Sequence, residues 1–378
     1  MRKIVLLGST GSIGSAALRV VRHLRDEFKV VALAAKSNID LLEEQVREFQ
    51  PEMVALGDPS KVSEFRSRCP GIPVVEGEEG LCEVAAAPDA DFVLFGMSGI
   101  TALKPAFAAI QAKKEIGLAN KELLVCAGQL FMSAVREHGV TLLPVDSEHS
   151  ALFQCLQGHQ RSDVRRLILT ASGGPFRKMS QEELSSVTVK QALAHPNWAM
   201  GPKITIDCST LMNKGLEMIE AHWLFDVPPS AIDVVVHPQS IIHSLVEYCD
   251  GSLLAQMSQP DMVLPIQYAL TYPKRKPGIQ PPFDFSKIAQ LTFEQPDKKK
   301  FLCFALAEEA LRLGKSYPCA LNAANEILVG RFLRGEIPWI DLGRKLEKLM
   351  SSHSSRDLVT LEAILAVDRE TRRKAEEV

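Results

Sequence analysis

A glycine-rich turn near the start of the chain constrains the fold more than any other feature. Ile4–Leu7 is an apolar run of strand length, the sequence GSTGSIG follows at positions 8–14, and an amphipathic stretch comes next. This G-x-x-G-x-x-G spacing is a variant of the dinucleotide-binding fingerprint, in which glycines let a pyrophosphate reach backbone N–H groups at a helix N-terminus. A plain tight turn is the alternative interpretation.

The pattern that follows favours the dinucleotide-binding interpretation. Residues 1–146 alternate short apolar runs with amphipathic stretches, which is typical of βα units in a parallel sheet. Because parallel strands are joined by right-handed crossovers, we expect an α/β fold that begins with a Rossmann-like doubly wound parallel sheet. The predicted strands are Ile4–Leu7, Val30–Ala34, Met53–Leu56, Phe92–Phe95, Glu115–Leu118 and Thr141–Pro144, and the predicted helices include Ser15–Arg25, Ile39–Phe49 and Thr101–Ala112.

The rest of the 378-residue chain predicts three further regions. Residues 147–272 mix short strands with helices, so we expect a central α+β catalytic domain that carries a flap at 195–203. Residues 273–297 are rich in proline and predict a stiff connector, whereas residues 298–378 predict a C-terminal helical domain.

Composition and charge exclude several classes of function. The chain has 43 Lys and Arg against 46 Asp and Glu, so no long-range attraction to nucleic acid or an anionic membrane is expected. The first apolar run stops at Leu7, which is too short for a signal peptide, and no run is long enough to span a bilayer. The 8 cysteines form no C-x-x-C pair, so we expect a reduced, cytoplasmic protein.

The end of the second predicted strand bears on the choice of cofactor. NAD-binding sites place an acidic residue there, on the ribose hydroxyls, but this chain has Lys36-Ser37-Asn38. A lysine with two hydrogen-bonding side chains suits a 2′-phosphate, so we predict NADPH. Alternatively, Ser37 or Asn38 caps the next helix.

Two carboxylates follow the last strand of the predicted sheet. Asp146 and Glu148 lie at its carboxyl end, where open α/β sheets bind ligands, and in extended backbone they point the same way. Such a pair suits Mg²⁺ or Mn²⁺, which prefer oxygen ligands. The alternative is that Asp-Ser-Glu begins a helix, where acidic residues are favoured by the dipole.

A third acid belongs to the sequence NKGLE at positions 213–217. Lys214 and Glu217 are three apart and share a helix face, which is also the spacing of an ordinary surface ion pair. Gly215 between them indicates that something packs close to this turn. A lysine beside a metal ligand is suited to holding a substrate oxyanion or hydroxyl.

Two more segments are candidate substrate loops. The sequence ASGGPFR at 171–177 combines a hydroxyl with flexible glycines, as phosphate-holding loops do. The sequence HPNWAMGPK at 195–203 places Trp198 and Met200 either in a lid over substrate or in a loop that its Trp anchors in the core. His237 and His243 lie between two predicted strands, where a neutral core histidine is commoner than a catalytic one.

The sequence motifs of this chain, taken in their order, resemble those of a known family. They are GSTGSIG at 8–14, ANKE at 119–122, PVDSEHSA at 144–151, ASGGPFR at 171–177, HPNWAMGPK at 195–203, LMNKGLE at 211–217, HPQSIIHS at 237–244, PDM at 260–262 and ALNAANE at 320–326. The chain resembles the 1-deoxy-D-xylulose 5-phosphate reductoisomerases over nearly its whole length.

The resemblance implies an NADPH-dependent conversion of 1-deoxy-D-xylulose 5-phosphate, a small phosphorylated sugar-like substrate, to 2-C-methyl-D-erythritol 4-phosphate in non-mevalonate isoprenoid synthesis. It implies a homodimer, and a Mg²⁺ or Mn²⁺ site, with Co²⁺ also possible, formed by Asp146, Glu148 and Glu217. The catalytic residues would be Lys121 and Lys214 with these three acids.

The resemblance also implies a set of binding residues. Those for cofactor are Thr10, Gly11, Ser12, Ile13, Lys36, Ser37, Asn38, Asn120, Glu122 and Gly201. Those for substrate are Lys121, Ser147, Glu148, Ser172, His195, Trp198, Cys208, Asn213, Lys214, Glu217, Ser240, His243 and Met262.

One position departs from the family pattern. Cys208 stands where the family usually has a serine that binds the phosphate, and a thiol is the weaker donor. Either Ser209 replaces it or phosphate binding is weaker. Two rival functions also stay open: an NADP-dependent, semialdehyde-type dehydrogenase without metal and with a nucleophilic cysteine, and an inactive NADPH sensor.

Overall fold

Parallel strands dominate the amino-terminal part of the computed structural model, which describes residues 1–198 and 200–378. Seven strands form one sheet in the order β4-β3-β2-β1-β5-β6-β7, and all neighbours are parallel. Their bounds are β1 Arg2–Leu7, β2 Phe28–Ala35, β3 Met53–Leu56, β4 Val74–Glu76, β5 Phe92–Phe95, β6 Glu115–Leu118 and β7 Leu142–Pro144. The predicted doubly wound sheet is confirmed.

Helices connect the strands of this sheet, as the alternating pattern predicts. The strands are continuous apolar runs because helices cover both faces of the sheet. Ile4–Leu7, for example, are at most 1% exposed. The helices are α1 Ser12–His23, α2 Ile39–Phe49, α3 Val62–Arg68, α4 Gly77–Ala85, α5 Leu103–Gln111 and α6 Lys121–His138. Strand β4 is absent from the sequence prediction because its apolar run, Val74 and Val75, is only two residues long and too short to indicate a strand.

The doubly wound order creates a crevice at a defined point of the sheet. The chain runs outward from β1 to β4 and then returns to place β5 on the other side of β1. Ligands of open α/β sheets bind at such a switch point, outside the carboxyl ends of the strands. The glycine-rich turn follows β1 and therefore lies there.

A second, mixed sheet has four strands in the order β11-β10-β8-β9. Only the β8–β9 pair is parallel. The strands are β8 Val164–Ala171, β9 Ile232–Val236, β10 Ile242–Tyr248 and β11 Leu253–Met257, and the helices of this region are α7 Ser147–Cys155, α8 Gln181–Leu184, α9 Val189–Ala192, α10 Pro202–Ser209, α11 Met212–Phe225 and α12 Val263–Thr271.

The carboxyl-terminal part is helical, as predicted. Gly314 and Gly335 follow the first two of its helices with φ of +64° and +76°, a conformation that glycine adopts without strain. The four helices are α13 Leu302–Leu313, α14 Tyr317–Leu333, α15 Trp339–Ser351 and α16 Leu361–Glu377. No helix among the described residues is long and apolar enough to cross a membrane.

Spatial contacts divide the chain into two compact units. Unit 1 contains Met1–Leu123, Phe131–Ser150 and Met262–Pro282, and unit 2 contains Leu124–Leu130, Ala151–Asp261 and Phe283–Val378. Helix α12 packs against α1 within unit 1, so the chain returns to the first unit after most of the second. The division along the chain at residues 146, 272 and 297 remains a prediction.

Candidate active site

The glycine-rich turn has the geometry of a phosphate cradle. Gly8 has a φ of +87°, and a Cβ added to it would lie 2.8 Å from the backbone nitrogen of Met97. A Cβ on Gly14 would lie 2.4 Å from the Gly8 carbonyl oxygen, so α1 starts closer to the turn than any other residue allows. Gly11 is the N-cap of α1 and is exposed. The exposed backbone at this helix start suits an anionic group.

A second glycine-containing turn lies against the first, and the sequence prediction did not include it. Gly96 and Gly99 follow β5, the strand beside β1, and the Gly96 nitrogen donates to the Leu7 carbonyl oxygen at 2.8 Å. The spacing of two glycines directly after a buried strand was the available signal.

The side chain of Asn120 holds this second turn. Its amide nitrogen donates to the carbonyl oxygens of Met97 at 2.7 Å and Gly99 at 3.0 Å. Its amide oxygen caps α6 by accepting from the Leu123 nitrogen. Asn120 therefore shapes the crevice through backbone contacts, and its direct contact with a cofactor remains a prediction, as does that of Glu122.

Lys36, Ser37 and Asn38 are exposed at the carboxyl end of β2, beside the glycine turn on β1. Asn38 caps α2, because its side-chain oxygen accepts from the Leu41 nitrogen at 3.2 Å. The helix-capping alternative is thus observed for Asn38. Lys36 and Ser37 present a cation and a hydroxyl at the position expected for a 2′-phosphate.

A buried ion pair joins two predicted residues of unit 1. Lys121 begins α6 after β6, and Asp146 follows β7, which is the neighbouring strand of the sheet. Because neighbouring parallel strands end at the same edge, the Lys121 ammonium group reaches the Asp146 carboxylate. The two side chains are only 6% and 13% exposed.

The predicted extended conformation of Asp146 and Glu148 is wrong. Strand β7 ends at Pro144, and α7 begins at Ser147, with the Ser150 nitrogen donating to the Asp146 carbonyl oxygen at 2.8 Å. Asp146 thus precedes the helix, and Glu148 lies in the first turn of the helix. The Ser147 hydroxyl donates a hydrogen bond to the Glu148 carboxylate. The helix-start alternative is correct, and the helix dipole stabilises both negative charges.

Unit 2 contains the second group of charged residues, on the first turns of α11. Glu217 is 1% exposed, and its carboxylate accepts from the Lys214 ammonium group and from the Asn213 amide. The prediction that something packs closely at Gly215 is confirmed, since a Cβ there would lie 2.3 Å from the Ala307 Cβ on α13. A surface ion pair is excluded by this burial.

The two candidate substrate loops of unit 2 meet at one histidine. Nδ1 of His195 accepts from the backbone nitrogens of Asn197 at 3.2 Å and Trp198 at 3.0 Å. Its proton in the neutral ring is therefore on Nε2, which donates to the Ser172 hydroxyl at 2.9 Å. Burial lowers the pKa of His195 and favours this neutral form.

The hydroxyl of Ser172 is oriented by these contacts. It accepts from His195 and also from the Gly174 nitrogen at 3.3 Å. A hydroxyl has two acceptor positions and one proton, so both acceptor positions are used and the proton is directed to another acceptor. A phosphate oxygen is an acceptor of this kind.

The predicted flap is also attached to the segment from the end of β9 to the start of β10, which contains two further predicted residues. The Asn197 amide donates to the Ser240 hydroxyl at 3.0 Å, and the Trp198 ring lies 6.3 Å from that of His243. Burial lowers the pKa of His243 to about 4, which favours a neutral ring, and its contact with substrate remains a prediction. Ala199, in the same predicted flap, lies outside the described residues.

Three further predicted residues occupy helix starts or ends. Gly201 is the N-cap of α10, and Cys208 lies in the last turn of that helix. Met262 precedes α12 in unit 1. Ser209 is fully buried, donates to the Ile206 carbonyl oxygen and accepts from the Trp339 ring nitrogen, so it is not available to replace Cys208.

Family models match almost the whole chain in three segments. The model described as 1-deoxy-D-xylulose 5-phosphate reductoisomerase matches residues 4–128, and that of its C-terminal domain matches residues 142–225. A model described as the DXP reductoisomerase C-terminal domain matches residues 257–374.

Curated proteins and solved structures of the same name are similar over the full length. The 1-deoxy-D-xylulose 5-phosphate reductoisomerase of Protochlamydia amoebophila is 58% identical over 375 residues, 99% of this chain and 98% of that protein. The enzyme of the same name from Thermoanaerobacter pseudethanolicus is 50% identical over 377 residues, with coverage of 99% and 98%.

The solved Zymomonas mobilis enzyme in complex with NADPH is 42% identical, with a TM-score of 0.93 and coverage of 100% of this chain and 98% of that chain. A DOX-P reductoisomerase in complex with NADPH, fosmidomycin and magnesium is 38% identical, with a TM-score of 0.94 and the same coverage. Likeness of this extent in both sequence and fold means that the chain belongs to the 1-deoxy-D-xylulose 5-phosphate reductoisomerase family.

Proposed function

We propose that this protein converts 1-deoxy-D-xylulose 5-phosphate to 2-C-methyl-D-erythritol 4-phosphate by a skeletal rearrangement and a hydride reduction, with NADPH and a divalent metal ion. Membership of the family, at 58% identity to a relative of that name, carries this conclusion. The relatives' structures with NADPH, and with NADPH and magnesium, support both cofactors.

The carboxylates proposed to bind the metal are Asp146, Glu148 and Glu217. Two helices position them: Asp146 and Glu148 lie at the start of α7, and Glu217 lies on α11. All three are at most partly exposed, and carboxylate oxygens are the ligands that Mg²⁺ and Mn²⁺ prefer. A divalent cation at these carboxylates supplies Lewis-acid polarisation of a carbonyl oxygen.

NADPH fits the crevice at the switch point of the seven-stranded sheet. Thr10, Gly11, Ser12 and Ile13 are at the start of α1, where N–H groups and the helix dipole favour the pyrophosphate. The exposed Lys36 is proposed to pair with the 2′-phosphate. The absence of an acidic residue at positions 36–38 removes the usual partner of NAD.

The chain's own residues perform the binding and orientation of substrate in this proposal. Ser172 donates to the phosphate, with its orientation fixed by His195 and Gly174. Lys121 and Lys214 are buried cations beside carboxylates and neutralise charge at the reacting oxygens. The phosphate is remote from the reacting carbons, so the binding energy of the phosphate can be used to orient those carbons.

The cysteines do not favour the semialdehyde-type dehydrogenase. A nucleophilic cysteine needs a lowered pKa, yet burial raises the pKa of Cys155 to about 11 and of Cys303 to about 12. Burial likewise raises the pKa of Cys69 and Cys82. The presence of Asp146, Lys214 and Glu217 likewise disfavours an inactive sensor.

We also propose a homodimer and a cytoplasmic location. Strand β11 supports the dimer, because it is an edge strand with Leu253 and Leu254 52% and 37% exposed. Neighbouring residues of a strand point to opposite faces, so both faces of this edge are apolar. The location is supported by the 8 cysteines, which are all free thiols.

The test is NADPH oxidation, followed by absorbance, with 1-deoxy-D-xylulose 5-phosphate in the presence and absence of Mg²⁺ or Mn²⁺. We expect metal-dependent oxidation, and a loss of more than about 100-fold in kcat/KM for Glu217→Gln, since removal of a direct ligand exceeds the cost of removing a supporting one. Glu308→Gln, at a partly exposed residue of α13 that pairs with Lys298, is the control and should retain wild-type activity.

Binding of Mn²⁺, measured by calorimetry, gives a second readout that does not depend on turnover. It should weaken in Glu217→Gln and stay unchanged in Glu308→Gln. Absence of oxidation in a folded protein that binds NADPH would contradict the proposed reaction.

A further inference from the structure

Asp207 is a buried carboxylate that lies outside the predicted catalytic and binding set. It is in α10, its side chain is 1% exposed, and both of its oxygens have partners. Oδ2 pairs with the Lys203 ammonium group at 2.8 Å, one helical turn earlier, and Oδ1 accepts from the Asn325 amide at 2.8 Å. The two partners belong to the HPNWAMGPK and ALNAANE motifs.

Stability alone does not account for a carboxylate in this place. Removing a charge from water costs several kcal/mol, and a well-packed apolar residue of similar volume is often as stable or more stable. Lys203 is 29% exposed, so the ion pair is partly in contact with solvent. It therefore contributes less to the free energy of unfolding than a fully buried pair would. A geometric role explains the arrangement better, because two directed hydrogen bonds fix α10 at this turn.

Helix α10 connects the flap to a residue expected at the phosphate. Gly201, its N-cap, directly follows Met200 within the flap, and Cys208 immediately follows Asp207. The helix end is also fixed from other sides. A Cβ on Gly174 would lie 2.5 Å from the Cys208 carbonyl oxygen, and the Trp339 ring nitrogen donates to Ser209 at 2.9 Å.

We propose that Asp207, held by Asn325 of α14, is a positioning residue that fixes both the carboxyl-terminal end of the flap and Cys208 for binding of the substrate phosphate. This inference rests on the proposed function. Asp207 acts through Lys203 and through the backbone of α10, and it touches neither substrate nor cofactor in this role.

The first test is Asp207→Asn, which keeps the size of the side chain and removes its charge. We expect the KM for 1-deoxy-D-xylulose 5-phosphate to rise by about 10- to 100-fold, the range for a hydrogen bond to a charged group. The dissociation constant of NADPH should change less than this KM, because the glycine turn and Lys36 are in unit 1, whereas α10, in unit 2, carries only Gly201 of the predicted cofactor residues.

A matched control separates positioning from stability. Asp368 is also a buried helical carboxylate, 6% exposed, and its partner one turn later is Arg372 at 2.7 Å. It is on α16, which contains none of the predicted site residues. Asp368→Asn should lower the melting temperature as Asp207→Asn does and leave the substrate KM at the wild-type value.

Exchange of the two partners provides a rescue. In Asp207→Asn with Asn325→Asp, the hydrogen bond between positions 207 and 325 is retained with its direction reversed, so most of the loss in KM should be recovered. Lys203→Met tests the other contact, and we expect it to raise the KM as well. If Asp207→Asn does not fold, the KM of Lys203→Met still tests the proposal.

A spectroscopic readout tests the flap without turnover. With 5-fluorotryptophan in place of tryptophan, the resonance of Trp198, assigned with Trp198→Phe, should shift or broaden in Asp207→Asn and stay unchanged in Asp368→Asn. The proposal is overturned if KM and this resonance match the wild type in Asp207→Asn, or if Asp368→Asn changes both equally. Lack of activity in the wild type would contradict the proposed function instead, while the resonance still tests Asp207.

Discussion

The protonation state of His195 follows from the partners of its two ring nitrogens. Nδ1 accepts two backbone N–H groups, and Nε2 contacts the Ser172 hydroxyl. Protonation of Nδ1 would place two donors against each other, so this arrangement requires the neutral ring. Burial acts in the same direction and lowers the pKa of His195 from its ordinary 6.5.

This gives a prediction with a definite sign. Because the folded pKa is below the unfolded value, the stabilisation by neutral His195 is fully present above about pH 6.5 and is lost as the pH falls through the folded pKa. In an NMR titration of ring-labelled histidine without substrate, the resonance absent from His195→Asn should titrate below pH 6.5. A midpoint at or above that value would contradict the assignment.

A second residue-scale prediction concerns Cys208. Since the Ser209 hydroxyl is engaged by Ile206 and Trp339, it does not replace the missing serine, and we expect a weaker phosphate contact. Cys208→Ser should lower the substrate KM by about 3- to 10-fold, the difference made by one ordinary neutral hydrogen bond. Cys249→Ser, at an exposed thiol, is the control. An unchanged or higher KM in Cys208→Ser would count against this explanation.

At the scale of elements, the approach of α11 to α13 determines where the buried pair of α11 lies. Gly215 makes the approach possible, because a Cβ there would lie 2.3 Å from the Ala307 Cβ. Lys214 and Glu217 flank this glycine on the same helix. A methyl group added at position 215 would push the two helices apart and therefore move both charged side chains.

Gly215→Ala should lower the free energy of unfolding by about 1–3 kcal/mol through overpacking, measured by urea denaturation. Ala307→Gly removes the opposing methyl group and alone costs about 1 kcal/mol of helix propensity. The double variant should be more stable than the sum of the single changes indicates, by about 0.5 kcal/mol or more. Additive effects would show that the contact does not limit the packing.

At the scale of the whole molecule, the exposed edge β11 predicts association of two copies. An apolar edge strand in water is a site for strand pairing, and natural monomers protect such edges with charge or proline. Leu254→Lys places a charge on this edge. In light scattering after gel filtration, we expect the wild type at twice the mass of the chain and this variant at the mass of one chain.

Leu313→Lys is the matched control, because Leu313 is 40% exposed and lies at the end of α13, outside the four-stranded sheet. It should remain at twice the mass. A monomeric wild type, or a dimeric Leu254→Lys protein, would exclude pairing through this edge.

Much of the fold and of the family assignment follows from the sequence alone. Elements with a continuous apolar run or a clear helical period, such as β3, β5 and α2, agree with their predicted bounds to the residue. The glycine spacing at 8–14 predicted the cradle, because backbone conformation and close approach at glycine depend on residues nearby in the chain. The order of motifs likewise needed no structure, since it is a property of the chain.

Only the tertiary structure decided how the site residues are held. Asp146 and Glu148 were expected on extended backbone, but the helix that begins at Ser147 sets their directions. The Lys121–Asp146 pair depends on β6 and β7 being neighbours, and the bond from Asn325 to Asp207 joins residues 118 positions apart. Local sequence encodes period and turn, whereas contacts between distant segments depend on which elements pack together, and that is a property of the folded chain.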